Sequence, residues 1–394
     1  MIKPELIRKI RIDIPNISSA LILKLTNMDD FPYMKQDPVD CCLIIDSPES
    51  VALLGLSWGA ILLKYDIDLI ADNCRVIIRD NELSLSSGDV ILVNNKGIDV
   101  LYRKGGNSNL LFVTERCNHN CVMCSQPPKN IDDLWRLDEC HKLIDMIDDN
   151  EEVLGISGGE PTLLGDGFVE LLQHCKNALP NTMLHILTNA TFLNDKDYLN
   201  KILSVEHDNI LWGIPIYGCT PYQHDFNVQS KGAFNNTINA IYNLECSNQK
   251  IELRLVLTKQ VLDDLENITE YILRNLPFVH VVAFMGLELI GHARGNQKLV
   301  LPNILEYSNL ISNSILTLSR LGLNPLLYNL PLCYLNEDVR DYAVKSISDW
   351  KNVFFDNCYD CEKRDDCCGF FSSHYGRYVS QEVLPIRSSD GYER

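Results

Sequence analysis

The sequence predicts an α/β fold built on parallel strands, preceded by a small β-rich unit and followed by a cysteine-rich tail. Three observations predict it. Between about residues 108 and 300, short apolar runs alternate with amphipathic stretches at crossover spacing. Up to about residue 105 the chain offers only short β-like runs cut by turn residues. Fifteen cysteines are spread unevenly over 394 residues, with one tight group near residue 120 and another near residue 360.

Composition narrows the class. Apolar residues make up 46% and charged residues 22%, which excludes a mostly disordered chain. The net charge of −18 makes a phosphate-backbone binder a poor expectation, so no nucleic-acid partner is expected. The start, Met1 to Glu5, lacks the apolar core of a signal peptide. The longest apolar run, Val51 to Leu63, has 13 residues, short of the roughly 18 a membrane span needs. A cytoplasmic chain without a membrane partner is expected, where thiols stay reduced and serve as core residues, nucleophiles or metal ligands.

The elements follow in order. Val76–Ile78, Leu83–Leu85, Val90–Val93 and Val100–Tyr102 read as strands of a domain over residues 1–105. Leu110–Val113, Val153–Ile156, Met183–Leu187, Leu211–Ile216, Ile251–Val256 and Val279–Phe284 read as strands of a second domain, 106–300. Most are near-continuously apolar, as strands buried on both faces should be. In Ile251–Val256, however, Glu252 and Arg254 alternate with apolar residues. Leu134–Ile147, Phe168–Ala178, Gly232–Leu244 and Leu262–Leu276 read as the intervening helices. Six such units can form an open partial (β/α)6 barrel with its chemistry at the C-terminal ends of the strands. Residues 301–394 hold a helix-like run, Ile304–Leu321, and the tail. The acidic run Asp148–Glu152 reads as solvated surface.

Two motifs fall on the same predicted rim. Cys117, Cys121 and Cys124 follow the first strand as C-x3-C-x2-C, a spacing that chance would give about 0.02 times in such a chain. Three thiolates leave a fourth position open, which suits a reactive site, or an iron–sulfur cluster with one iron free for an outside ligand. The bland alternative is zinc, with His119 as fourth ligand, or three core thiols. After the second strand comes Gly158-Gly159-Glu160-Pro161. Paired glycines let a ligand approach the backbone, and the carboxylate can accept from an ammonium group; alone, this is a plain β-α turn. The third strand ends in Thr188-Asn189, where a short amide suits a ribose hydroxyl. Arg254 reads either as a barrel salt bridge or as a partner for a ligand carboxylate.

Taken in this order, the motifs resemble those of the radical S-adenosylmethionine (SAM) superfamily. The resemblance implies a 4Fe-4S cluster on Cys117, Cys121 and Cys124, whose fourth iron is chelated by SAM. It implies that the Gly158–Pro161 loop holds the SAM ammonium, that Asn189 lies near the ribose, and that Met123 stands where an aromatic residue often packs near adenine. Arg254 is then either a partner for the SAM carboxylate or part of a barrel salt bridge, and Glu288 is a pocket or structural residue, as is Arg294. The implied activity is reductive cleavage of SAM to a 5′-deoxyadenosyl radical that abstracts a substrate hydrogen.

Segments around 114–129, 275–279, 285–288, 346–352 and 367–371 are further similar to the C-type radical SAM maturases of the His-Xaa-Ser systems. That similarity implies a ribosomally made peptide or protein substrate with His-Xaa-Ser repeats, a companion radical SAM protein and an electron donor. The competing expectations are a radical SAM enzyme on RNA or a small metabolite, and a non-catalytic iron–sulfur electron-transfer protein.

In the tail, Cys358, Cys361 and Cys367 read C-x2-C-x5-C, with Cys333 upstream. They resemble auxiliary-cluster tails of peptide-modifying radical SAM enzymes and are expected to bind one auxiliary 4Fe-4S cluster, zinc being the alternative. Cys368 is a competing ligand. Cys140, Cys175 and Cys246, with Cys41, Cys42 and Cys74, read as packed thiols, and Cys219 as a packed thiol on the rim.

Overall fold

The computed structural model describes residues 12–13, 20–47, 49–64, 77–79, 84–95, 97–348, 351–374 and 384–387. Cys74, Val76 and Leu83 lie outside the described residues.

The N-terminal region is a mixed seven-stranded sheet. Its strands are β1 (Ile12–Asp13), β2 (Leu21–Thr26), β3 (Cys41–Ile45), β4 (Ala60–Leu63), β5 (Ile77–Arg79), β6 (Val90–Asn94) and β7 (Gly97–Tyr102), in spatial order β1-β5-β4-β3-β2-β6-β7. The four strands β2 to β5 pair in parallel, and the edges are antiparallel. Side chains alternate across this sheet. Cys42 packs on one face with Leu23, Ile44 and Leu62, while Cys41 packs on the other with Leu43, Ile61 and Trp58. Both are the packed thiols that their apolar neighbours predict.

The second sheet has eight strands in chain order, every neighbouring pair parallel. They are β8 (Leu110–Phe112), β9 (Val153–Ser157), β10 (Met183–Leu187), β11 (Ile210–Pro215), β12 (Lys250–Val256), β13 (Val281–Met285), β14 (Pro325–Tyr328) and β15 (Ala343–Val344). The first six are the strands expected from sequence. The last two extend the sheet past residue 300. Crossover helices are α1 (Trp135–Met146), α2 (Asp166–Ala178), α3 (Lys196–Leu203), α4 (Pro221–Val228), α5 (Ala233–Cys246), α6 (Lys259–Asp263), α7 (Leu265–Asn275), α8 (Gly291–Gly295), α9 (Gln297–Val300) and α10 (Ser308–Arg320). The expected helix over 262–276 is broken at Asp264, where α6 ends. In the tail, β16 (Asn352–Val353) pairs antiparallel with β17 (Phe370–Phe371).

The two faces of the parallel sheet differ. Leu154, Ile156, Leu184, Ile186, Trp212, Leu253 and Phe284 are buried under the helices in one core. Alternate residues on the other face, among them Ser157, His185, Arg254, Met285 and Tyr328, are only half-buried. The expectation of burial on both faces therefore fails for this sheet. That second face mixes apolar residues such as Leu187, Leu211 and Met285 with the polar His185, Glu252 and Arg254.

The acidic run is a seam between the sheets as well as surface. Asp148 accepts from Lys24 Nζ at 2.5 Å and stands 3.3 Å from Lys104 Nζ, and Asp149 pairs with Lys35 at 3.1 Å. Burial pushes the Asp148 carboxyl up, but the two lysines outweigh it and hold it below its ordinary range. The buried Tyr102 hydroxyl donates to Glu151 at 2.6 Å. Among the described residues no helix is long and apolar enough to cross a membrane. Replacing Tyr102 by Phe removes a charge-assisted bond at this seam. Urea unfolding is expected to show a loss of about 1.5–3 kcal/mol, whereas an unchanged stability contradicts the seam.

Candidate functional site

The segment from Val113 to Lys129 forms no helix or strand, so its shape is set by what it is tied to. Its entrance is tied to the Gly158–Pro161 loop. Gly159 N–H donates to Thr114 O at 2.7 Å and Glu160 N–H to Arg116 O at 2.9 Å. A Cβ at Gly158 would stand 2.5 Å from Thr114 O, and one at Gly159 2.1 Å from Arg116 O. The paired glycines are thus required by the approach of the cysteine loop itself.

Asp133, fully buried, accepts from the Thr114 hydroxyl at 3.0 Å and from Glu115 N–H at 2.5 Å. Glu115 pairs with Arg136 at 2.7 Å and with Lys129. The middle of the loop is held by α4, where Asn120 and Val122 N–H donate to Val228 O and Asn227 O at 3.0 and 2.9 Å. The far side is held by α8 and the residue after it. His292 N–H donates to Cys124 O at 2.8 Å, and Asn296 Nδ2 to Val122 O at 2.9 Å. Gly291, at φ +57°, lies where a Cβ would meet Ser125 O at 2.5 Å. None of Asp133, His292 and Asn296 was singled out by sequence, because no local spacing marks them.

Cys117, Cys121 and Cys124 are half-buried on this loop. Burial pushes the Cys117 thiol up to about 11, and burial likewise raises Cys121 and Cys124. Cys117 and Cys124 raise Cys121 further, so the three sulfurs share one neighbourhood. His119 is buried, its pKa pushed down to about 4 by burial, and it senses Asp225 of α4; it is also felt by the buried His224. Its ring therefore belongs to the α4 contact, which weakens it as a fourth thiolate-site ligand. Met123 is buried in the main core.

Glu160 is fully buried, and its carboxylate is taken up by the protein. It accepts from Thr162 N–H at 3.0 Å, the Thr162 hydroxyl at 2.6 Å, the Thr188 hydroxyl at 2.6 Å and Asn189 N–H at 2.7 Å. Pro161 begins the short 3-10 turn that Glu160 caps. Asn189 Nδ2 donates to Asn118 Oδ1 at 2.7 Å and lies 3.9 Å from Cys117 Sγ. The structure thus brings the cysteine loop, the Gly158–Pro161 loop and Asn189 together at the C-terminal ends of β8, β9 and β10.

Other predicted residues have partners of their own. Arg254 forms an ion pair with Glu252 of its own strand. Glu288 pairs with Lys351 of the tail at 3.2 Å, and Arg294 is exposed. Cys219 Sγ lies 3.4 Å from Asp264 Oδ2, half-buried. Asp225 accepts from Gly232 and Phe234 N–H at 2.5 and 2.9 Å, capping the start of α5. Cys140 and Cys175 are buried, but Cys246 is exposed; it ends α5, two residues beyond the last buried residue, Leu244.

In the tail, Cys333, Cys358, Cys361 and Cys367 line one pocket with Phe354, Phe370, Arg364, Leu332, Leu384 and Pro385. Sulfurs there accept backbone N–H bonds: Leu332 and Gly369 donate to Cys367, and Ile386 to Cys361, each at 3.4 Å. Cys368 packs with Ile347 and Phe371 and stays in contact with Cys367. Its thiol bond is the main cause that pulls Cys367 down to about 6. Among the described residues, no three His, Cys, Asp or Glu side chains converge as a single metal ion requires.

The glycine contact gives a direct test of the loop geometry. Gly159→Ala should force Arg116 O away and destabilise the protein by about 1–3 kcal/mol, read as a lowered Tm. A Tm equal to that of the native chain contradicts the contact.

Residues 111–276 match the family model described as the Radical SAM superfamily. An uncharacterized protein of Methanocaldococcus jannaschii is 28% identical over 243 residues, covering 58% of this chain and 78% of that protein. Fe-coproporphyrin III synthase of Methanosarcina barkeri is 28% identical over 177 residues, 43% of each chain. Among solved structures, Streptococcus suis SuiB bound to S-adenosylmethionine aligns with a TM-score of 0.44 at 14% identity, over 55% of this chain and 49% of that one. The chain thus spans about half the length of that structure. The family match runs from within β8 to the residue after α7, and so takes in the cysteine loop, the Gly158–Pro161 loop and Asn189.

Proposed function

We propose that this chain is a radical SAM enzyme that reductively cleaves S-adenosylmethionine and modifies a ribosomally made peptide or protein, one carrying His-Xaa-Ser repeats. The observation that carries the reading is the juxtaposition of three half-buried thiols with the Gly158–Pro161 loop and Asn189 on one rim. Three cysteines on one pinned loop fit a 4Fe-4S cluster that keeps one iron open. Bound there, the cluster and SAM supply one-electron chemistry and a radical that takes a hydrogen atom from the substrate.

The chain's own residues have separate tasks. Cys117, Cys121 and Cys124 hold the cluster. Glu160 fixes the loop that receives SAM, and because its carboxylate is already satisfied, the loop backbone is left to meet the ammonium. Asn189 serves the ribose side, and Met123 packs behind the loop. The parallel sheet serves as the partial barrel.

The tail is assigned one auxiliary 4Fe-4S cluster on Cys333, Cys358, Cys361 and Cys367. Four thiols lining one pocket suit such a cluster, with zinc as the alternative. The N-terminal sheet, residues 1–105, is the candidate grip for the peptide, and residues 301–394 the auxiliary region. A companion radical SAM protein and an electron donor complete the cytoplasmic reading. A small-molecule substrate is the second reading, favoured by the relative named Fe-coproporphyrin III synthase.

Anaerobically reconstituted protein given dithionite and SAM is expected to form 5′-deoxyadenosine, and a Cys117→Ala/Cys121→Ala/Cys124→Ala variant to form none. That variant should still retain roughly four irons in the tail. No 5′-deoxyadenosine from the iron-loaded native chain sinks the enzyme reading, and zinc without iron in the variant sinks the auxiliary cluster. Modification of a synthetic His-Xaa-Ser peptide, followed by mass, separates the peptide reading from the small-molecule one.

A further inference from the structure

Parallel sheets are ordinarily covered on both faces. Here the face opposite the helices stays half-open and is polar at its centre. There Glu252, its side chain only 4% exposed, forms an ion pair with Arg254, and His185 Nε2 stands 3.2 Å from the same carboxylate oxygen, Oε1. His185 lies on β10 and the other two on β12, so the group reaches across β11. Gly213 makes the room: a Cβ there would stand 3.0 Å from His185 Nε2 and 3.2 Å from Arg254 Cδ. A buried ion pair is weak evidence for stability, so this cluster calls for a functional explanation.

We propose that His185 is a proton-transfer residue for the substrate bound against this face, with Glu252 and Arg254 as its positioning residues. The proposal rests on the radical-enzyme reading above. Nε2 is buried 3.2 Å from the Glu252 carboxylate without an aligned hydrogen bond; a proton on Nε2 faces that charge favourably and leaves Nδ1 as the acceptor. His185 is 24% exposed on this face, so the ring is within a ligand's reach. Glu252 stays ionised: burial pushes its carboxyl up, but His185 and Arg254 together hold it below the usual range.

The step is a proton transfer alone. An X–H bond of a substrate heteroatom breaks, its electron pair stays on X, and the proton goes to Nδ1. The imidazolium is balanced by Glu252, and the reverse transfer returns the proton. The ionisable groups facing His185 are Glu252 and Arg254, with Tyr328 of β14 near both; the adjoining strands present Gly155, Leu211 and Gly213.

The test uses the full reconstituted chain and the variants His185→Gln and Glu252→Gln. With SAM and dithionite alone, both should form 5′-deoxyadenosine at the native rate, which also shows that they fold. With a synthetic His-Xaa-Ser peptide, His185→Gln should lose about 10²-fold or more in product. In 15N-histidine NMR, His185 should be the Nε2–H tautomer, and Glu252→Gln should abolish that preference. Native-rate peptide modification by His185→Gln, lost 5′-deoxyadenosine formation in that variant, or an Nδ1–H tautomer each overturns the proposal. If the native chain forms no 5′-deoxyadenosine, the radical-enzyme reading fails, and the tautomer still decides the His185–Glu252 pair.

Discussion

The site depends on one buried carboxylate. Glu160 has no exposed surface, and its two oxygens are met by four donors from Thr162, Thr188 and Asn189. A buried carboxylate is costly unless it is hydrogen-bonded on this scale. Burial raises its pKa while each of those bonds works in the opposite direction. The bonds join the end of β9 to the end of β10. The backbone N–H groups of Gly159 and Glu160 meanwhile hold the carbonyls of Thr114 and Arg116. Three segments far apart in sequence therefore move as one unit, and an irregular cysteine loop gains a fixed place on the rim.

The remaining ties act on the same loop from other sides. Asp133 fixes its start, α4 its middle and α8 its far side. Rigid sheet ends around an irregular loop leave the thiols half-exposed, which a resident cofactor needs and a packed core thiol does not. The acidic run past α1 joins the N-terminal sheet to the same region through Lys24, Lys104 and Tyr102. A peptide gripped by that sheet would therefore sit on a body joined directly to the β8–β9 connection.

Much of this was legible in the sequence, for physical reasons that particular residues show. Strands such as Met183–Leu187 are short apolar runs between helices of clear 3.6-residue period. Cysteine spacing and paired glycines act over a few residues, so both motifs could be read locally. β14 and β15 could not: one opens with Pro325 and has four residues, and the other has two. The parallel strands β2 to β4 look like any apolar run until their partners are known. Glu160 illustrates a subtler limit. Its position drew attention as a ligand for an ammonium, while the structure spends its carboxylate on Thr188 and Asn189, a pairing no local pattern encodes. His185 and Glu252 were likewise invisible as a pair, being 67 residues apart on strands separated by β11.

The central claim is that the loop of Cys117, Cys121 and Cys124 holds a cluster with one iron open to SAM. Electron paramagnetic resonance of the reduced, reconstituted chain with and without SAM tests it most directly. The account predicts that SAM changes the signal of one cluster and that this change is absent when Cys117 is replaced by alanine. A signal that SAM leaves unaltered in the native chain would contradict it.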